Sequence, residues 1–143
     1  MTRISATTVS HLDRAADSLA EAAATADVPA RYAHAHVAAL RAAAALLSTR
    51  ARPEAPGRRS TQNAWVLLAR LAPEFEEWAT FFAAGARKRA AAEAGSRRAV
   101  TAREADDLLR DAERFVRLIE ESLGLRPHET RHPALPVELG RAG

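Results

Sequence analysis

Apolar residues recur at three- and four-residue intervals along most of the chain, and no stretch keeps the two-residue alternation of a strand. The pattern predicts four long helical segments, one of them interrupted. The first spans about Thr8 to Ala26, with Val9, Leu12, Ala16, Leu19 and Ala23 inward and Asp13, Arg14, Asp17 and Glu21 mostly outside. Asp27 is placed to cap the second, and Pro29 falls in its first turn, where a missing N–H costs nothing. This helix runs to about Ala51, before Pro53. With Tyr32 set at zero and each residue turned about 100°, His36, Ala39, Leu40, Ala43, Leu46 and Leu47 fall within about 80° of it. His34 and Arg41 point away. A histidine inside an apolar stripe needs a hydrogen-bond partner, because a buried unpaired imidazole is costly.

The third segment starts after a cap at Ser60 or Thr61. Trp65, Leu68, Ala72, Phe75, Trp78, Phe82 and Ala86 keep helical phase straight through Pro73. Proline clashes with the carbonyl four residues back, so the spacing predicts a sharp kink or a tight turn there. Glu74, Glu76 and Glu77 favour a new helix start beyond it. Gly95 closes the segment. Thr101 to Glu104 then forms a capping box, followed by Ala105, Leu108, Leu109, Ala112, Phe115, Val116, Ile119 and Leu123 on one stripe, with Gly124 as the stop. Outside, Asp106 to Arg110 and Glu113 to Arg117 are spaced for ion pairs.

The expected fold is all-α, an up-and-down bundle of four or five helices whose third long helix is kinked or broken at Pro73. Residues 1–7 are expected to be a flexible N-terminus, 8–124 the bundle domain and 125–143 a disordered tail rich in proline. The run Trp65-Val66-Leu67-Leu68, with Phe81 beside Phe82, is apolar on more than one side. Either this segment is central in the bundle, or its second face meets another chain in a homodimer.

Composition narrows the chemistry. The chain has 143 residues and no cysteine, which excludes disulfides, thiolate metal sites and cysteine nucleophiles. Its 21 Lys plus Arg include one lysine, Lys88, against 18 acidic residues. An Ala- and Arg-rich, Lys-poor chain is what a GC-rich genome tends to encode, so the net charge of +3 alone does not indicate a nucleic-acid partner. No apolar signal segment or membrane span is visible, and a cytoplasmic location with no membrane partner is the expectation.

Arg31 and His36 have the residue types for cutting RNA: an imidazole for proton transfer and a guanidinium for phosphate. Five helical positions rotate about 140°, so only a two-fold dimer brings the two groups together. The plainer reading makes His36 a hydrogen-bonded core residue and Arg31 a surface residue at a helix start. Arg58 and Arg59 in the loop RPEAPGRR, and Arg87, Lys88 and Arg89 with Arg97 and Arg98, are candidate phosphate contacts. A full reversal at Pro73 would gather both clusters at one pole; a mere kink would separate them. No metal set or cofactor is expected: His34 and His36 diverge on a helix, no Glu-x-x-His occurs, and phosphate loops and nucleophile elbows are missing.

Three stretches, RYAHAHVAALRAAAALL, AWVLLARLAPEFEEWATFFAAGARKRAAAEAG and TAREADDLLRDAERFVRLIEESLG, together resemble the HEPN superfamily, and within it the actinobacterial SAV-type branch. The resemblance covers about Thr8 to Gly124. It implies a four- or five-helix bundle, often homodimeric, among whose relatives are RNases, toxin partners and non-catalytic modules that bind nucleotides or RNA. Active relatives carry Arg-x(4–6)-His near or within the last helix, facing the dimer cleft. Here no histidine lies between Ala83 and Leu123, and the other match to that spacing besides Arg31/His36, Arg126 to His132, lies in the tail. The expectation is a non-catalytic module binding RNA, a nucleotide or a protein encoded by a neighbouring gene. Its rivals are a metal-independent endoribonuclease using Arg31 and His36 across a dimer, and an antitoxin-like helper that binds no nucleic acid.

Overall fold

The computed structural model describes residues 4–50 and 63–128, so Arg58, Arg59 and the caps expected at Ser60 or Thr61 lie outside the described residues. Helix α1 spans Ala6–Ala24 and α2 Val28–Arg50. A short α3, Ala64–Leu71, leads through a 3-10 turn, Pro73–Phe75, into α4, Glu76–Ala84. Then come α5, Ala86–Glu93, and α6, Ala102–Ser122.

The caps follow the chemistry of the side chains. The Ser5 hydroxyl accepts the Thr8 N–H and opens α1 two residues earlier than the apolar pattern alone indicates. Asp27 Oδ2 accepts the Ala30 N–H at 3.0 Å, and Asn63 Oδ1 the Trp65 N–H at 2.8 Å. Thr101 and Glu104 close both bonds of the expected capping box.

α2 is the central helix, and its buried residues, from Pro29 to Leu47, occupy nearly all sides of it. Seven of them are alanine, which lets the neighbouring helix axes come close. The aromatic cluster of Trp65, Phe75, Trp78, Phe82 and Phe115 fills the volume on the other side. The face of α1 differs from expectation by one residue. Thr8 is buried and Val9 is 41% exposed, because the Thr8 hydroxyl meets that of Ser48 on α2 at 2.7 Å.

Pro73 marks a reversal. Trp65, at the start of α3, stacks on Phe82, near the end of α4, with ring centroids 5.1 Å apart; a continuous helix would hold them roughly 25 Å apart. Four long rods therefore alternate in direction, as an up-and-down bundle requires: α1, α2, α4–α5 and α6. One pole is marked by Arg31–Asp106, Lys88–Glu104 and Arg97–Asp27. The other carries Arg50, bonded to the Leu71 carbonyl and to Glu74.

Among the described residues this reversal does not gather the basic side chains. α3 starts beside His36, well inside α2, and not at the level of Arg50. Arg50 and the pair Arg97/Arg98 consequently stand at opposite poles. The expected Asp106–Arg110 pair is also replaced: Asp106 reaches Arg31 across the bundle, and Arg110 turns to Asp107. Past Gly124, at φ +75°, the described chain continues to His128, which is bonded to Glu120.

Candidate functional site

Tyr32 and His36 lie one turn apart on α2 and press on the junction between α4 and α5. His36 is 1% exposed and its Nε2 lies 2.9 Å from the Phe82 carbonyl oxygen. A carbonyl can only accept, so the ring carries its proton on Nε2. Nδ1 is then a buried acceptor with no hydrogen-bond partner among the described residues. Trp65 and Phe82 meet the ring edge-on, at 5.9 and 6.0 Å. Burial lowers the His36 pKa below 6.5, and Arg89 pushes the same way, against the raising effect of the Phe82 bond and Glu93. His36 is neutral at pH 7.

Gly85 breaks the rod at this point. The Phe82 carbonyl accepts the Gly85 N–H at 3.0 Å, a three-residue closure, as well as the His36 ring N–H. The φ of Gly85 is −88°, so conformational freedom is not the reason for a glycine. Space is: a Cβ there would stand 2.8 Å from the Tyr32 hydroxyl oxygen. Gly85 was not singled out by the helical pattern, although a glycine within an alanine-rich helix is the kind of signal that marks a break.

Arg31 is held elsewhere. Its guanidinium pairs with Asp106 and donates to the Thr25 carbonyl at 3.1 Å, at the pole beyond the sealed His36 ring. The structure does not bring Arg31 and His36 together within one chain. His34, on the outer side of α2, meets Glu21 of α1 at 3.3 Å.

The basic triad is partly neutralised. Lys88 Nζ lies 2.6 Å from Glu104 and Arg89 pairs with Glu93 at 3.1 Å, while Arg87 meets no carboxylate among the described residues. The Glu104 bond raises the Lys88 pKa and lowers that of Glu104. Among the described residues no three His, Asp or Glu groups converge as a metal site would require. No described helix is long and apolar enough to cross a membrane.

Two further features escaped the helical pattern. Glu120, 4% exposed, faces inward near the end of α6, and its carboxylate meets His128 Nδ1 at 3.0 and 3.2 Å. That bond raises the His128 pKa, with burial opposing it. At the same pole a cavity of about 440 Å³ is lined by Ser5, Thr8, Ser48, Thr49, Arg50 and Leu123 among others. The Thr8 hydroxyl bonds to those of both Ser5 and Ser48 there, and Ser48 donates to the Ala45 carbonyl.

The largest apolar exposure is on the α3–α4 hairpin. Val66 is 52% and Phe81 45% exposed, and the Trp65–Phe82 stack puts them at the same height. Central burial of this segment, one of the two alternatives the sequence offered, is not what the chain adopts by itself.

A family model for SAV-type, HEPN-like domains matches residues 22–120, from late α1 through nearly all of α6. No curated protein and no solved structure matches the chain. The family match spans the capped central helix, the hairpin and the last helix that build this all-helical bundle: the chain belongs to the HEPN superfamily.

Proposed function

We propose that this HEPN domain is a non-catalytic binding module that docks through the outer face of its α3–α4 hairpin. The observation that carries the reading is the paired exposure of Val66 and Phe81, where the other large apolar side chains among the described residues, Val9 excepted, are buried or half-buried. Solvated phenylalanine and valine at one height gain free energy when covered, at about 25 cal/mol per Å² of apolar surface.

Against catalysis stands the burial of His36. A general acid or base must reach the proton it moves, and this ring is 1% exposed, packed edge-on against Trp65 and Phe82, with its one proton donated to a carbonyl. Its role here is structural, and Arg31 serves the ion pair with Asp106. Incubating purified protein with total RNA in EDTA tests this reading: no cleavage is expected. Cleavage abolished by His36→Ala in a folded variant would establish the ribonuclease alternative instead.

A second reading, RNA or nucleotide phosphate binding, is favoured by Arg87 and Arg98, both exposed and without a carboxylate partner among the described residues. It predicts affinity for single-stranded RNA that falls steeply with salt, and that weakens in Arg87→Ala. Arg58 and Arg59, outside the described residues, belong to the same reading as phosphate contacts. A protein partner encoded nearby would use the hairpin face alone, and its binding would be insensitive to Arg87→Ala.

A further inference from the structure

We propose that the cavity between the start of α1 and the ends of α2 and α6 binds the ammonium group of a small aliphatic amine. Among the described residues its wall shares no side chain with the outer face of the α3–α4 hairpin.

Hydroxyls of Ser5, Thr8, Ser48 and Thr49 form part of that wall, and the direction of their hydrogen bonds is fixed from one end. Ser48 donates to the Ala45 carbonyl at 2.7 Å, and a carbonyl can only accept. A hydroxyl has a single proton, so across the 2.7 Å contact between Thr8 and Ser48 it is Thr8 that donates. By the same reasoning Ser5 donates to Thr8 at 3.1 Å. Thr49 gives its proton to the Leu46 carbonyl at 2.7 Å. Every one of these protons is committed inside the wall. What the oxygens still offer is lone pairs, even on Ser5, which also accepts the Thr8 N–H. A guest has to bring the protons, and an oxyanion, which brings none, meets only acceptors.

The helix ends favour the same guest. Ser48, Thr49 and Arg50 belong to the last turn of α2, and Ser122 and Leu123 close α6. Two carbonyl-bearing ends therefore border the cavity and favour positive charge. α1 begins there too, but Ser5 already accepts the Thr8 N–H, and Ala6 and Thr7 do not line the cavity. Arg50 is no competing cation, because its guanidinium turns to the Leu71 carbonyl at 3.3 Å and to Glu74 at 2.7 Å, where its charge is met. A primary ammonium carries three N–H donors and one charge, as this acceptor set requires. Ile4, Leu46 and Leu123 make the apolar part of the wall and set the rest of the guest. An alkyl chain covers them, and about 440 Å³ holds one of several carbons.

The test is amide NMR of the full chain titrated with n-butylammonium chloride. Saturable shifts are expected at Ser5, Thr8, Thr49 and Leu123, and none at Phe81 or Arg87. n-Butanol keeps a donor and the alkyl chain without the charge, and should bind roughly tenfold more weakly for want of the two helix-end interactions. Tetramethylammonium keeps the charge without an N–H, and butyrate reverses the charge; neither is expected to bind. Thr49→Val keeps the shape and removes lone pairs, so it should weaken butylammonium about fivefold, with circular dichroism as the check on folding. The ligand series on the wild type stands whether or not that variant folds. Tetramethylammonium, butyrate or butanol binding as tightly as butylammonium would overturn the proposal. So would the lack of a saturable shift at these residues, shifts scattered over the acidic surface, or a folded Thr49→Val that binds like the wild type.

Discussion

His36 and His128 are each tied to a single oxygen-bearing partner, yet their surroundings shift their pKa values in opposite directions. His36 gives its Nε2 proton to the Phe82 carbonyl inside an aromatic box, where burial disfavours the cation. His128 faces the Glu120 carboxylate, which favours the cation and raises its pKa. The partner decides: a carbonyl needs only a donor, whereas a buried carboxylate needs a counter-charge. Consequently the first histidine holds a helix break in place through shape and one neutral bond. The second fastens the chain after α6 to a carboxylate that favours the imidazolium.

The sharpest way to break this contrast is to remove the His36 ring. His36→Ala opens a cavity at a 1% exposed position and takes a donor from Phe82. The expected loss is about 3 kcal/mol, read by urea unfolding. His36→Leu keeps most of the volume and also eliminates the unpartnered Nδ1, so it should cost about 1 kcal/mol. Equal costs for the two variants would mean that the hydrogen bond, not the shape, dominates.

Next in size is the glycine at the break. Gly85→Ala sets a methyl carbon 2.8 Å from the Tyr32 hydroxyl, and about 2 kcal/mol of destabilisation is expected from overpacking. Adding Tyr32→Phe removes the clashing oxygen, so the double variant should recover most of that loss. A double-mutant cycle showing simple additivity would refute the steric account.

At the other pole a smaller effect is expected. His128→Ala removes the ring from Glu120 and leaves the carboxylate, among the described residues, with the position-128 backbone N–H at 3.4 Å. Thermal unfolding at pH 6 should show a loss of about 1 kcal/mol. Glu120→Gln, which retains an acceptor, should lose less.

How much of this the sequence disclosed depends on the range over which each signal acts. The Asp27 cap and the Thr101–Glu104 capping box are local, and the structure bears them out. The burial of Tyr32 and His36 followed from periodicity, since α2 is apolar through so many positions that its phase leaves no choice. Val9 against Thr8 was misjudged because hydropathy ranks valine higher, while the deciding contact, Ser48, is 40 residues away. Pro73 allowed a kink or a reversal because both keep the apolar phase, and only the Trp65–Phe82 stack decides between them. Glu120 reads as one more surface acid of α6, since its partner lies beyond the helix stop at Gly124. The catalytic pairing of Arg31 with His36 came from residue types alone, and Asp106, which occupies Arg31, is 75 residues away.

The finest discrimination between the two histidines is the sign of their pH dependence. A histidine whose folded pKa is lowered stabilises the fold above 6.5, and that contribution is lost as pH falls through 6.5 toward the folded value, because the unfolded chain then binds the proton more readily. A histidine whose folded pKa is raised does the reverse: its contribution is full below 6.5 and is lost as pH rises through the folded value. His11, lowered by burial and by Arg14, adds to the acid-side loss in every variant and cancels in differences. The difference in unfolding free energy between wild type and His36→Leu should therefore shift against the wild type on going from pH 7.5 to 5.5. The difference between wild type and His128→Ala should shift in its favour over the same interval. Two slopes of the same sign would show that one of these rings does not shift in the direction its surroundings dictate. The steeper departure would identify which: a flat His36 difference means water reaches the aromatic box, and a flat His128 difference means the Glu120 contact does not persist in solution.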